Sequence, residues 1–395
     1  MNEMSITPQP PADERRSAQV AARNLEVPAY ARRVQDFALA RSLLRSPASV
    51  QDIALTGEIP GAGTDQVPVI FLDGEVHRSR RAMLARFFSP KAIKDHHLAV
   101  MEATTQGLIG QLRKDGRGQL DLMSMQLACD VAAAIVGLTD SDRVAMARRI
   151  RMTFEGTDFD DRKGLRKLVH SLKMAYKSLT FFWFDVKPAI RARRKQPRAD
   201  IISHLIEQGY PDKAILIDCL TYATAGMLTT REFIVMVAWY MFDRPELRDL
   251  FLAADEAGQI EILEEILRLE PVAAFVYRKA AEDMTGPGGE TIKAGERFAL
   301  DIRAANTDPA MAGACPLGFD AERGRRQKVP GGWLSFGDGA HRCPGAQVAL
   351  GETRVFIDAL LRVPGIRLEI PPSVGWCHPI GGYELHGAIV TCERG

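Results

Sequence analysis

The chain has no long hydrophobic run. Its most apolar stretch, residues 233–242, is far shorter than the roughly 20 residues that cross a bilayer as a helix, so no membrane association is expected. The first 25 residues contain Pro8, Pro10, Pro11 and the charged residues 13–16, and they lack the apolar centre of a signal peptide or anchor. A charge excess is also missing: 51 Lys and Arg against 50 Asp and Glu leave a net charge of +1, too little for bulk attraction to nucleic acid. Six cysteines at 129, 219, 315, 343, 377 and 392 form no paired framework, which fits a reducing cytoplasm without disulfides. Cys377, His378, His386 and Cys392 match no common zinc spacing.

What is present is bulk apolar content, 46% of 395 residues, enough to fill one large core. We expect a flexible tail over 1–25 and a single domain over 26–395. An amphipathic pattern predicts a helix over 27–44, and the Gly- and Pro-rich stretch 47–68 predicts a long loop. A helix is expected from Gly74, with His77 and Arg81 four apart on one face; Arg78, Arg80 and Arg86 read as its solvated basic side. A helix is also expected over 122–136, and the aromatic run Phe181, Phe182, Trp183 and Phe184 reads as core. Residues 216–242, largely apolar with small polar interruptions, predict a long central helix.

The most informative run is residues 335–350, SFGDGAHRCPGAQVAL. Gly337, Gly339 and Gly345 bracket Cys343, and apolar residues at helical spacing follow Pro344. Glycines let the backbone take positive φ and pass close to a flat ligand. A proline suits the first helical turn, where no N–H is needed. Backbone donors and a helix N-terminus beside one sulfur are expected to lower a thiol pKa from about 8.5 and favour a metal-binding thiolate.

Phe336, Gly337, Gly339, His341, Cys343 and Gly345 reproduce the pattern F-G-x-G-x-H-x-C-x-G. The chain thereby resembles the cytochrome P450 family, whose haem-binding loop this is. The resemblance implies a mainly α fold: one helical domain with small β-sheets and a long central helix. It also implies haem b with Cys343 as the iron ligand, a thiolate that favours O–O cleavage. By the same resemblance His77, Arg81 and Arg278 hold the haem propionates, and residues 47–68 and part of 152–184 cover the substrate.

Ala225, Gly226, Thr229 and Thr230 are similar to the family's A-G-x-(D/E)-T-T segment, which implies that Gly226 makes room for dioxygen and Thr229 bonds the oxygen species. Leu228 stands where most members have an acid. It can neither donate nor relay a proton, so water, Glu232 or a substrate group must replace it. Glu265 and Arg268 match the family's E-x-x-R pair, which joins a second arginine; Arg323 and Arg326 both qualify. Val272, Phe275, Leu228 and Ile380 are pocket candidates. Gly286 to Gly289 forms a turn between short strands, and Ala305, Asn306, Asp308 and Pro309 resemble the A-N-R-D-P segment, with Thr307 replacing arginine.

The resemblance implies a monooxygenase acting on a small organic substrate of secondary-metabolite type. No fused reductase domain is expected, so electrons would come from a separate ferredoxin and its NAD(P)H-dependent reductase, docking near Cys343 beside Arg342 and Lys328. The missing acid at Leu228 motivates an alternative: oxidative coupling or ring closure of an aromatic natural product such as a cyclic dipeptide, without oxygen insertion.

Overall fold

Asp36 accepts a hydrogen bond from the Leu39 N–H at 2.6 Å and so starts the Phe37–Arg45 helix, supplying one of the orphan donors of its first turn. The helix expected over 27–44 is therefore shorter. Ala31–Val34 is a strand with buried ends and exposed arginines between them, paired in parallel with residues 297–300. Sheet pairing buries Ala31 and Val34 and satisfies the backbone, which overrides the helical pattern. The computed structural model describes residues 15–17, 19, 27, 30–52, 67–154, 165–329 and 331–395. Most of the expected tail, the middle of the expected loop over 47–68 and part of the expected lid lie outside them.

The fold is mainly α with small sheets. The largest has four strands in the order Ala31–Val34, Arg297–Asp301, Phe275–Ala280, Ser49–Gln51. Its register sets Gln51 opposite Arg278, which brings both to one edge of the cavity described below. Met284–Thr285 and Thr291–Ile292 flank the expected glycine turn.

The central helix is apolar on nearly every side, the mark of a helix buried all round. It runs as Asp212–Tyr222, a π-turn over Ala223–Leu228, then Thr229–Asp243. Leu120–Val136 and Ala346–Leu361 pack against it. Among the described residues no helix is long and apolar enough to cross a membrane.

Two expectations fail for one reason, the partner a polar group finds. Arg80 is not solvated: it is 6% exposed, donates to both Asp218 oxygens at 3.0 and 3.1 Å and to the Val67 carbonyl at 2.7 Å. In the aromatic run only Phe181 is buried, while Trp183 and Phe184 are 55% and 60% exposed. Asp185 takes the inward position there, held by Arg149 at 2.6 and 2.7 Å and Ser141 at 2.8 Å. Turning that carboxylate inward turns its two aromatic neighbours out.

Glu265 and Arg268 form a bidentate pair, both contacts 2.7 Å, with both side chains buried. Arg323 is the second arginine: its Nε reaches Glu265 at 3.3 Å and its remaining donors meet the Ala312, Cys315 and Gly318 carbonyls. Arg326 instead pairs with Asp320 in solvent. Asn306 then links this cluster to the cysteine loop, donating to Ser335 Oγ at 2.8 Å and accepting from the Leu334 N–H at 3.0 Å. Removing one partner of a buried pair strands the other charge. Arg323→Ala should therefore cost about 3 kcal/mol, and Arg326→Ala less than about 1 kcal/mol, read by urea denaturation of both variants.

Candidate functional site

The cysteine loop is shaped before its helix begins. Gly337 donates its N–H to Leu334 O and Cys343 its N–H to Phe336 O, each at 2.8 Å. Asp338 accepts from Arg41 and Arg45, both at 2.9 Å, which ties the loop to the Phe37–Arg45 helix. Gly339 is the tightest point of that junction: its φ is +65°, and a Cβ there would lie 2.3 Å from Leu44 O. Only glycine tolerates both conditions. The following helix starts at Ala346 with Gly345 as its cap, so Pro344 precedes the first turn instead of occupying it.

Cys343 faces a cavity of about 320 Å³. His77, Arg81, Ala225, Gly226, Thr229, Val272, Arg278, Phe336, Gly337, His341 and Gly345 line the same cavity. They come from four distant parts of the chain. Leu228, Phe275, Ile380 and Gly339 are not among its lining residues. Leu228 packs into the main core, Phe275 stacks on Tyr277 in a smaller cluster, Ile380 packs against the main core from a short turn, and Gly339 faces the Phe37–Arg45 helix.

Depth in the protein pushes the Cys343 thiol above its ordinary pKa, against the pull of the Gly345 N–H, Arg81 and Arg342. The expected lowering by backbone donors alone does not prevail, because desolvation disfavours the thiolate more strongly. A bound metal reverses that balance, since a coordinating thiol is deprotonated outright.

The cationic wall has an uncommon composition. Arg278 is buried, donates to Gln51 Oε1 and Tyr277 O, and burial pushes its pKa down to about 10. Arg81 donates to Arg342 O, and burial lowers its pKa as well. Neither forms an ion pair with a carboxylate among the described residues. Buried charges are ordinarily paired, so two guanidinia on one cavity without a protein counter-ion call for a ligand bearing carboxylates. The two propionates of haem would meet that need, and the cavity lies between the glycine loop and the central helix, both of which line it. The donor set therefore suits haem.

His77 lines the same cavity beside Arg81. Its ring stacks on His341, centroids 3.9 Å apart and planes 13° from parallel. Burial, with His341 and Arg81 adding to it, pushes its pKa down to about 4. His77 is thus a neutral hydrogen-bond donor, not a second cation. His341 is oriented by Asp73 at 3.0 Å and Gln51 at 3.0 Å.

On the opposite wall Thr229 Oγ donates to Ala225 O at 2.7 Å, leaving its lone pairs directed to the cavity. The π-turn just before it is a recurrent device at functional sites, and nothing lies within 4 Å of where a Gly226 Cβ would be. Glu232 does not line the cavity: it is buried and accepts from the Leu385 N–H at 2.7 Å. Sequence reasoning missed a second acid. Glu352, 3% exposed, lies against the Thr230 hydroxyl, and burial holds it well above the ordinary carboxylate range. Thr230 itself lines the cavity. Gln51, Val69, Ile70 and Phe233 also line it; of these only Phe233, one turn after Thr229, was legible from helical spacing.

Residues 261–363 match the family model described as Cytochrome P450. The chain is 29% identical to the biotin biosynthesis cytochrome P450 of Bacillus subtilis (strain 168) over 309 residues, 76% of this chain and 74% of the relative. It is 27% identical to the mycinamicin IV hydroxylase/epoxidase of Micromonospora griseorubida, covering 84% and 82%. Its fold superposes on the crystal structure of P450BioI in complex with hexadec-9Z-enoic acid ligated acyl carrier protein. There the TM-score is 0.76 at 24% identity, covering 95% of this chain and 97% of that one.

The loop geometry generates a test. Gly339→Ala forces a Cβ onto Leu44 O in a left-handed conformation, a strain of about 1–3 kcal/mol. The purified variant should carry markedly less haem per chain than the wild type in a pyridine haemochrome assay, whereas Ala340→Ser should match it.

Proposed function

Because the chain belongs to the cytochrome P450 family, with haem ligated through a cysteine thiolate, we propose that it is a cytoplasmic monooxygenase that oxidises a small organic substrate of secondary-metabolite type. In this reading a separate ferredoxin and its NAD(P)H-dependent reductase deliver the electrons, docking on the Cys343 side near Arg342 and Lys328. The observation that carries the reading is the placement of Cys343 and Thr229 on one cavity flanked by the unpaired guanidinia of Arg81 and Arg278. The hydroxylase and oxygenase names among the relatives support the reaction class.

Haem bound through Cys343 supplies the dioxygen chemistry. The chain's own residues do the rest. Arg81 and Arg278 neutralise the propionates, and His77 adds a neutral N–H. Gly226 leaves open space beside the helix, and Val272, Ala273 and Val276 form an apolar wall that excludes water near the substrate. Thr229, with its own proton committed to Ala225 O, accepts a hydrogen bond from a water or substrate group in the cavity.

The proton source is the step where this chain departs from the usual acid-alcohol pair. Leu228 contributes nothing, and the Glu232 carboxyl is held by the Leu385 N–H. Burial holds the Glu352 carboxyl well above the ordinary carboxylate range, which favours its protonated form, and it contacts Thr230, one residue from Thr229. In our reading the Glu352 carboxyl with the Thr230 hydroxyl replaces the missing acid, and a water that donates to Thr229 completes the path to the cavity, which weakens the motive for a coupling reaction fed by substrate protons.

The two reactions differ in mass: oxygenation adds an oxygen atom from labelled dioxygen, and coupling removes two hydrogens. Cys343→Ser should abolish the thiolate-type Soret band of the ferrous carbonyl complex; its persistence would refute the ligand assignment. General acid-base groups contribute roughly 10²–10⁴-fold, so Thr229→Ala and Glu352→Gln should each lower product formed per NAD(P)H consumed by at least about tenfold. The lost yield should appear as hydrogen peroxide.

A further inference from the structure

A second cavity, about 790 Å³, lies away from the cysteine loop and shares no lining residue with the first. It opens between residues 86–97, where the Gly74–Ala85 helix gives way to short turns, and residues 193–207, where the Lys187–Lys195 helix passes to Ile201–Glu207. Its size falls within the roughly 300–1,000 Å³ of small-molecule sites. Neither the haem chemistry nor the substrate pocket uses it.

Three observations converge there. First, His204 lines the cavity and is 9% exposed, yet neither ring nitrogen has a hydrogen-bond partner. The nearest carboxylate, on Glu207, is 3.7 Å from Nδ1, too far for a hydrogen bond. A buried polar group left unmatched is destabilising unless a ligand or water supplies the partner. Second, Arg86, Lys91 and Arg198 stand at the same cavity and form no ion pair among the described residues. Against them are the exposed carboxylates of Asp95 and Glu207. Asp200, also at the wall, is taken up by Arg193 and by the Ser203 N–H. Third, the inner surface is apolar: Phe87 packs its ring against His204 at 6.1 Å between centroids, and Ile206 and Pro197 extend that surface.

An orphan ring donor beside free guanidinia and an apolar floor fits one ligand class. We propose that this cavity binds an organic phosphate, with phosphate oxygens meeting His204, Arg86 and Arg198 and the apolar body lying on Phe87 and Ile206. Guanidinium groups suit phosphate because their planar fork presents two parallel donors to it. The buried imidazole adds a directed bond that water at the mouth does not replace.

Phenyl phosphate is the probe, titrated into the haem-loaded full chain by calorimetry, with phenol and inorganic phosphate in parallel. It should bind at least about tenfold more tightly than either fragment, since both halves of the site contribute. Binding should leave the Soret band unmoved. His204→Phe, which keeps the ring and removes both nitrogens, and Arg198→Ala, at an exposed position, should each weaken binding by about tenfold without changing haem content. Binding of inorganic phosphate as tight as that of phenyl phosphate would overturn the proposal. So would an Arg198→Ala variant with wild-type affinity, or a Soret shift that places the probe at the haem.

Discussion

A buried arginine and a half-buried one, neither in an ion pair among the described residues, govern the architecture of the site. Arg81 comes from the Gly74–Ala85 helix and Arg278 from the Phe275–Ala280 strand, and each spends its spare donors on carbonyl or amide oxygens. An uncompensated charge in a low-dielectric interior is costly. The elements that carry these side chains are therefore held in place by other means: the four-stranded sheet, the Asp338 links to Arg41 and Arg45, and the buried Glu265, Arg268 and Arg323 cluster. In the proposed reading, haem propionates would complete a charge balance that the described residues leave open.

That balance also explains the division of labour among the polar groups. Asp73 and Gln51 orient His341, His341 stacks on His77, and burial, helped by His341 and Arg81, keeps His77 neutral. Thr229 faces the cavity from the end of a π-turn, while its neighbour Thr230 contacts Glu352, whose pKa burial raises. Carboxyls that could have neutralised Arg81 or Arg278 are turned elsewhere: Glu232 toward the Gly382–His386 strand, Asp218 toward Arg80. A carboxylate at either arginine would compete with the cofactor for the same cation.

Legibility varied with how local each interaction is. The cysteine loop could be read because its residue types fall at fixed spacing within ten consecutive residues, although the close approach that requires Gly339 comes from Leu44, far away in the chain. The spacing of His77 and Arg81 was readable for the same reason. The helix expected over 27–44 failed because its first half pairs with residues 297–300, a distance that periodicity cannot sense. Arg80 looked like Arg78 in sequence, and only Asp218, 138 residues away, distinguishes them. Leu228, Phe275 and Ile380 were placed by neighbourhood along the chain, whereas helix phase and strand pleat direct them away from the cavity.

By itself the sequence determined the cysteine loop, the helical class and the resemblance to the cytochrome P450 family, because each depends on residue types at short, regular intervals. Tertiary structure decided which second arginine joins Glu265, that His77 is neutral, and that Glu352 meets Thr230. It also left His204 without a partner in a second cavity. Those outcomes rest on burial and on contacts between segments far apart in the chain, where desolvation sets charge and only packing decides which donor reaches which acceptor.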